Sequence, residues 1–227
     1  MRIGEVEVSK IYVGTHTVQR IYVGEVLVWP TTQVDDEPVC FTAEQANSTI
    51  MVRKQGTSAP ALTLVTSTDG ETWTPYTVGT TITLANVGDK VYFAAGEGGN
   101  TTWATQSYSN YNMFRGTGRY SASGNIMTLL DKDDPPTAIT TANCFANLFN
   151  GNTALTAAPR LPASTLANAC YYQMFYGCNA LRVAPELPAV TLTTSCYYYM
   201  FRGCTSLTTA PTLPATTLAS TCYRSMF

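Results

Sequence analysis

From residue 144 onward the apolar positions of this chain recur with a step of 26. Cys144, Cys170, Cys196 and Cys222 keep that step, and so do Phe149, Phe175, Phe201 and Phe227. Gly151, Gly177 and Gly203 follow in phase, then Leu155, Leu181 and Leu207, then Pro159, Pro185 and Pro211, then Leu161-Pro162, Leu187-Pro188 and Leu213-Pro214. A fixed period of this length predicts a solenoid, in which each unit buries its apolar face only against its neighbours. Within one unit, Leu166, Cys170 and Met174 stand at i, i+4 and i+8, flanked by Tyr171 and Phe175, which predicts a short amphipathic helix. Thr165, Thr191 and Thr217 stand where an N-cap belongs, and Gly177 and Gly203 where such a helix would end. Leu181-Arg-Val-Ala-Pro-Glu-Leu187 then reads as extended, because proline pushes the residue before it out of the helical region. Stacked units would align these extended segments into a narrow sheet.

The first half of the chain has a different rhythm. Lys10-Ile-Tyr-Val-Gly14 returns as Arg20-Ile-Tyr-Val-Gly24, followed by Val26-Leu-Val-Trp29. Alternating apolar and polar residues punctuated by glycine predict short strands over 1–30. So little material is marginal alone, which makes Ile11, Tyr12, Val13, Ile21, Tyr22, Val23 and Trp29 candidate docking residues. Residues 31–38, acidic and bracketed by Pro30 and Pro38, read as a linker. Residues 39–105 predict a small β-sandwich with strands at Ser48–Lys54, Ala61–Thr66, Thr72–Thr77, Thr80–Leu84 and Lys90–Ala95. Asp69-Gly70 and Val87-Gly-Asp-Lys90 serve as turns, and Trp73, Tyr76, Tyr92 and Phe93 furnish core and one face. Residues 106–134 read as a divergent coil capping the repeats, since Met113-Phe-Arg-Gly116 echoes Met200-Phe-Arg-Gly203. The expected fold is thus mixed β and α/β: short N-terminal strands, a small β-sandwich, then a repeat solenoid over 135–227. The chain stops at Met226-Phe227, inside the expected helix of a unit, which reads as a fragment of a longer array.

Composition narrows the chemistry. Charged residues are 12% of the chain, about half the usual share. The net charge is −2 and the pI about 5.4, so the basic footprint of a nucleic-acid binder is missing. No apolar run is long enough to span a bilayer. The N-terminus lacks the basic start and unbroken apolar stretch of a secretory signal, so the sequons at Asn47 and Asn100 carry no weight. Cys170 and Cys178, like Cys196 and Cys204, lie eight residues apart, ~12 Å along a helix and beyond the ~7 Å that a disulfide spans. The cysteines therefore read as a column of small buried thiols. The only histidine is His16, too isolated to complete a nucleophilic triad. Residues 135–227 hold a single acidic residue, Glu186, where glycoside hydrolysis needs two facing carboxyl groups. Asp131, Asp133 and Asp134 read as a solvated loop cluster, not a calcium site. No enzyme activity, cofactor or metal is expected.

What remains is surface. The positions facing away from the core are Tyr172, Gln173 and Tyr176 in one unit and Tyr198, Tyr199 and Arg202 in the next. Tyrosine and arginine anchor interfaces and contact sugars, so Tyr172, Tyr176, Tyr198, Tyr199 and Arg202 are the candidate ligand-binding set.

Units such as Leu187-Pro-Ala-Val-Thr-Leu-Thr-Thr-Ser-Cys-Tyr-Tyr-Tyr-Met-Phe-Arg-Gly-Cys-Thr-Ser-Leu-Thr-Thr-Ala-Pro211 resemble BspA-type leucine-rich repeats over roughly 110–227. That family occurs in Bacteroides surface proteins and in bacteriophages of gut Bacteroidales. Ser67-Thr-Asp-Gly-Glu-Thr-Trp73 and Val87-Gly-Asp-Lys-Val-Tyr-Phe93 resemble the small β-domain that often precedes such repeats. Lys10-Ile-Tyr-Val-Gly14 and Arg20-Ile-Tyr-Val-Gly24 to Trp29 are similar to the N-termini of phage tail and fibre proteins. The resemblance implies adhesion or virion structure and carries no catalytic residues across. It predicts a virion protein, a head or tail fibre or appendage. Residues 1–30 would hold it to other virion proteins, and the repeats would face a host-surface glycan or protein. Homo-oligomerisation, as a trimer, is what fibres of this kind imply. A bacterial cell-surface adhesin is the alternative, and a carbohydrate-active enzyme the third reading.

Overall fold

The computed structural model describes residues 37–105 and 109–227 in full. Toward the N-terminus it describes the strand backbone at residues 2–3, 6–7, 11–13, 16–18, 21–23 and 26–29. The chain divides into two compact bodies, residues 1–35 and 36–227. The linker expected at 31–38 lies, up to residue 36, outside the described residues.

In the first body the β-branched segments form the short strands expected there, as three separate antiparallel hairpins. They pair β1 (Arg2–Ile3) with β2 (Val6–Glu7), β3 (Ile11–Val13) with β4 (His16–Val18), and β5 (Ile21–Val23) with β6 (Val26–Trp29). Among the described residues no hairpin pairs with another. In the last, Ile21 faces Trp29 and Tyr22 faces Leu27, with a register shift between Ile21 and Tyr22.

The second body begins with two antiparallel sheets. β7 (Val39–Ala43), β9 (Leu64–Ser67), β10 (Thr74–Tyr76), β12 (Lys90–Ala95) and β14 (Tyr120–Ser123) form one, in the order β10-β9-β12-β7-β14. β8 (Ser48–Gln55), β11 (Ile82–Leu84) and β13 (Tyr111–Thr117) form the other, in the order β11-β8-β13. Phe41 and Phe93 from the first sheet meet Phe114 from the second at ring separations of 4.8 and 5.2 Å. Tyr76 is buried with them, while Trp73 and Tyr92 are half-buried. The Asp69-Gly70 hairpin is longer than a two-residue turn: the Asp69 carboxylate accepts the N–H groups of Glu71 and Thr72 at 2.8 and 2.7 Å. Residues 106–134, expected as a capping coil, instead supply β13 and β14. Their apolar residues include Met113 and Phe114, which enter the core of the sheets.

The expected α/β leucine-rich-repeat solenoid is not what the chain builds. Among the described residues it is nearly all β, and its one helix is the four-residue 3-10 turn Ile126–Leu129, capped by Asn125. The segments expected as helices are strings of turns. The reason is a left-handed residue at every fourth position: Asn143, Asn147 and Gly151; Ala169, Gln173 and Gly177; Ser195, Tyr199 and Gly203. One left-handed residue per four prevents winding at 3.6 residues per turn. Gly177 and Gly203 do not stop a helix; each is the third member of such a series.

The hydrogen bonds show how this backbone is satisfied. Even-numbered residues donate locally: the N–H of Tyr172 bonds Ala169 O at 3.1 Å, Met174 bonds Tyr171 O at 3.2 Å and Tyr176 bonds Gln173 O at 3.1 Å. Odd-numbered residues donate to the next layer of chain: Ala169 to Thr194 O, Tyr171 to Cys196 O, Gln173 to Tyr198 O, Phe175 to Met200 O and Gly177 to Arg202 O, at 2.8–3.1 Å. Asn143, Asn147, Ala169, Gln173, Ser195 and Tyr199 each turn their own N–H along the stack, so the left-handed cost of each, ~1–2 kcal/mol, is offset by a bond that a helix would not make.

The extended segments form no strand either. Only isolated parallel bridges join them, such as Ala157 with Val183 and Thr191 with Thr217. Pro159, Pro162, Pro185, Pro188, Pro211 and Pro214 lack the N–H that a continuous ladder requires. Thr165, Thr191 and Thr217, expected as helix caps, lie in these bridges.

The core is continuous from sheets to layers. Phe114 stacks on Phe149 at 5.5 Å, Phe149 on Phe175 at 5.3 Å, Phe175 on Phe201 at 5.6 Å and Phe201 on Phe227 at 5.8 Å. Sheet residues also hold the first layer through Phe114 N to Leu148 O at 2.8 Å, Tyr120 N to Ala154 O at 3.1 Å and Ala122 N to Ala157 O at 2.9 Å. The Tyr120 hydroxyl donates to Asn152 Oδ1 at 2.9 Å, and Asn152 Nδ2 donates to Phe114 O at 3.1 Å.

Candidate functional site

The turn string sets which side chains reach solvent. Cys170 and Tyr171 point in, Tyr172 and Gln173 lie half-exposed, Met174 and Phe175 point in, Tyr176 and Gly177 lie half-exposed, and Cys178 is buried. Two in and two out is a four-residue period. The next layer repeats it, with Tyr198 and Tyr199 half-exposed and Arg202 exposed. Equivalent positions in successive layers stack, so outward side chains form columns. One column runs Tyr172, Tyr198, Arg224; beside it stand Tyr176 and Arg202; a third holds Gln173 and Tyr199.

All five candidate ligand residues come together here. Tyr172 stacks on Tyr198 at 5.2 Å, Tyr198 meets Tyr199 edge-on at 4.2 Å, and Tyr176 meets Tyr199 at 6.4 Å. The Arg202 guanidinium lies over the Tyr199 ring at 4.9 Å. Sequence reasoning missed Arg224, whose guanidinium lies over Tyr198 at 5.7 Å. The signal was present: Arg224 stands 26 residues after Tyr198, which stands 26 after Tyr172. A hydrogen bond between the two side chains pushes the Tyr198 phenol up and pulls the Tyr199 phenol down; Arg202 and Arg224 add to the lowering at Tyr199.

Charge is distributed unevenly. Residues 135–227 carry Arg160, Arg182, Arg202 and Arg224 against Glu186 alone. Lys132 pairs with Asp133 at 2.5 Å, whereas neither Arg202 nor Arg224 forms an ion pair with a carboxylate among the described residues. The acidic side chains cluster elsewhere. Asp131 Oδ1 accepts the N–H groups of Asp133 and Asp134, both at 3.0 Å, and Lys132 lies over Trp73 at 5.7 Å. That carboxylate is occupied by its own loop, and the Trp73 face is occupied by its own cation.

The cysteines build no reactive centre. All seven are free and buried. Burial pushes the Cys144 and Cys204 thiols up to about 12, and raises those of Cys170, Cys178 and Cys196 as well. A nucleophilic cysteine requires the opposite shift. The thiols of Cys178 and Cys204 donate instead to Phe149 O and Phe175 O in the preceding layer, each at 3.0 Å. Among the described residues no cluster of three or more His, Cys, Asp or Glu side chains could hold a metal ion.

The candidate docking residues lie in two of the hairpins: Ile11, Tyr12 and Val13 form β3, Ile21, Tyr22 and Val23 form β5, and Trp29 ends β6. Comparison with protein-family models, with characterised proteins and with solved structures finds no match to this chain.

Proposed function

We propose that this chain is a non-catalytic recognition protein of a bacteriophage particle, held by its N-terminal hairpins and engaging the host surface through its stacked layers. The observation that carries the reading is the outward face of Tyr172, Tyr176, Tyr198, Tyr199, Arg202 and Arg224. Aromatic and guanidinium groups are the side chains that anchor interfaces, and here they are held by a repeating backbone and have no internal counter-ion. The three hairpins support the docking half. A lone two-stranded hairpin is marginal in water, and among the described residues none of these pairs with another, so a partner surface is the natural way to hold them. The resemblance of residues 10–29 to tail and fibre N-termini supports placing that surface on a virion. The partners are then other virion proteins, further copies of this chain, and a host-surface glycan or protein.

The test is to purify particles carrying the chain, label them with an antibody against residues 135–227, and measure adsorption to host cells. Labelled particles and a several-fold loss of adsorption in Tyr198→Ala/Tyr199→Ala particles are the expected results. Label on bacterial envelopes with none on particles would transfer the same face to a cell-surface adhesin. Full adsorption by the double variant would end the assignment of recognition to this face.

A further inference from the structure

We propose that the outer face of the sheet β11-β8-β13 carries a second binding site, in which Arg53, Arg115 and Tyr111 take a phosphate group. The site uses none of the residues of the Tyr172–Arg224 face and does not depend on the recognition reading above.

The register brings the three side chains together. In β8, Ile50 and Val52 are fully buried in the core, which leaves Arg53 on the opposite face. In β13, Phe114 is buried, and Tyr111 and Arg115 take the other face. Arg53 stands opposite Met113. Tyr111 and Arg115 are therefore its two diagonal neighbours, ~7–8 Å away and within reach of long side chains. The charges of Arg115 and Arg53 both act on the Tyr111 phenol.

The second argument is charge. β8, β11 and β13 hold Arg53, Lys54 and Arg115 and no Asp or Glu. Arg115 is half-buried. Its Nε lies 2.9 Å from Met113 Sδ, and its Nη1 donates to Gly151 O. A Cβ on Gly151 would stand 3.0 Å from that Nη1, so the glycine leaves the guanidinium its place. A half-buried cation held by neutral groups keeps a desolvation penalty that an anion would offset. Neither Arg53 nor Arg115 forms an ion pair with a carboxylate among the described residues. Among the same residues the Arg53 guanidinium and the Tyr111 hydroxyl have no hydrogen-bond partner. Burial raises the Tyr111 phenol and the two arginines lower it, with a net rise. The hydroxyl thus keeps its proton at neutral pH and serves as a donor.

The third argument is the number of donors. A guanidinium is a forked donor suited to carboxylate or phosphate. Here three donor groups converge from two strands. A carboxylate offers two oxygens, whereas a phosphate monoester offers three, one to each group.

The experiment follows amide shifts of the isotope-labelled full chain during titration with inorganic phosphate, glucose 6-phosphate, glucose and galacturonate. Saturable shifts on β8 and β13 with both phosphate compounds, weakened by added salt, are expected. Equal affinity for the two would assign the site to phosphate itself, and tighter binding of glucose 6-phosphate to a phosphorylated sugar; either supports the inference. Arg53→Gln should weaken binding about tenfold, and Tyr111→Phe several-fold. Both substitutions spare the bond from Arg115 to Gly151 O that ties sheet to first layer, so an unchanged circular dichroism spectrum is expected. Arg119→Gln, exposed between β13 and β14, should leave binding unchanged. Full-strength binding by Arg53→Gln would overturn the inference. So would galacturonate or glucose bound as tightly as glucose 6-phosphate, or shifts that avoid β8 and β13.

Discussion

The two sheets and the stacked layers share one core yet satisfy their backbones in opposite ways. In the sheets, β13 pairs with β8 from Tyr111 opposite Gln55 to Thr117 opposite Thr49, and side chains alternate with a period of two. In the layers, donors are split. Half bond three residues back, and half bond the next layer. The side-chain period becomes four. A sheet tolerates many side chains on its open face but demands that backbones approach closely. The layers demand a left-handed residue every fourth position and leave pairs of side chains facing out. The outward face of Tyr172, Tyr198 and Arg224 is a consequence of that four-residue period.

Alkaline pH separates the two regions most strongly. The layers hold five thiols whose burial raises their titration, Cys144, Cys170, Cys178, Cys196 and Cys204, against Cys40 alone in the sheets. Below pH 9, the ordinary value for these thiols, folded and unfolded chains both carry the proton and stability is unaffected. Above 9 the unfolded chain releases it while the folded chain keeps Cys144 and Cys204 protonated to about 12. Stability therefore falls as pH rises from 9 toward 12, by about 1.4 kcal/mol per pH unit for each such thiol. Urea unfolding at pH 8 and pH 11, with alkylation pulses read by mass spectrometry, should show the midpoint dropping and Cys144 and Cys204 labelled before the core of the sheets opens. An unchanged midpoint at pH 11 would mean that the thiols are not enclosed as described.

Glycine substitution gives the next largest contrast. A Cβ on Gly116 in β13 would fall 1.9 Å from the Thr49 carbonyl oxygen across the sheet, a backbone clash that nothing nearby can relieve. A Cβ on Gly177 would lie 3.6 Å from the nearest atom, Gly151 Cα, an ordinary contact; its difficulty is its φ of +68°. Gly116→Ala should thus cost about 3 kcal/mol by forcing strands apart. Gly177→Ala should cost ~1–2 kcal/mol from conformation alone. Denaturant midpoints measure both; equal costs would erase the distinction between steric and conformational glycine.

The repeat itself was legible in the sequence because in-phase Cys, Phe, Gly, Leu and Pro columns admit few explanations, and so were five of the sandwich strands. The helix was not. Leu166, Cys170 and Met174 at i, i+4 and i+8 satisfy a helical stripe and a four-residue turn string equally. What distinguishes them is the partner of each buried residue. Cys170 is followed by buried Tyr171, and Met174 by buried Phe175, whereas a helix would rotate the pairing away within two turns. Left-handed backbone at Ala169, Gln173 and Ser195 leaves no mark in residue type, because those residues avoid it when nothing compensates. β7, at Val39–Ala43, was hidden by its closeness to the expected linker. β13 and β14 were hidden by the likeness of Met113-Phe-Arg-Gly116 to a repeat, although that likeness marks the place where sheet and first layer join.

Gln173→Gly is the smallest effect and the most discriminating, because its sign differs between the two structures. In a helix interior, glycine for glutamine costs up to ~1 kcal/mol through lost propensity. In the turn string Gln173 sits at φ 52°, where glycine meets no steric penalty. Its N–H still donates to Tyr198 O, a bond that the substitution leaves intact. What is lost is the side-chain contact of Gln173 Oε1 with Asn150 Nδ2 at 3.3 Å, half-exposed and weak. The larger freedom of glycine in the unfolded chain opposes the gain, so the net expectation is stabilisation of about 0.5 kcal/mol. The adjacent Tyr172 keeps its stack on Tyr198 in either variant. Thermal and urea unfolding of Gln173→Gly and of Gln173→Ala, measured together, give the sign. Stabilisation by glycine with destabilisation by alanine fits left-handed backbone at this position, and the reverse order would restore a helix there.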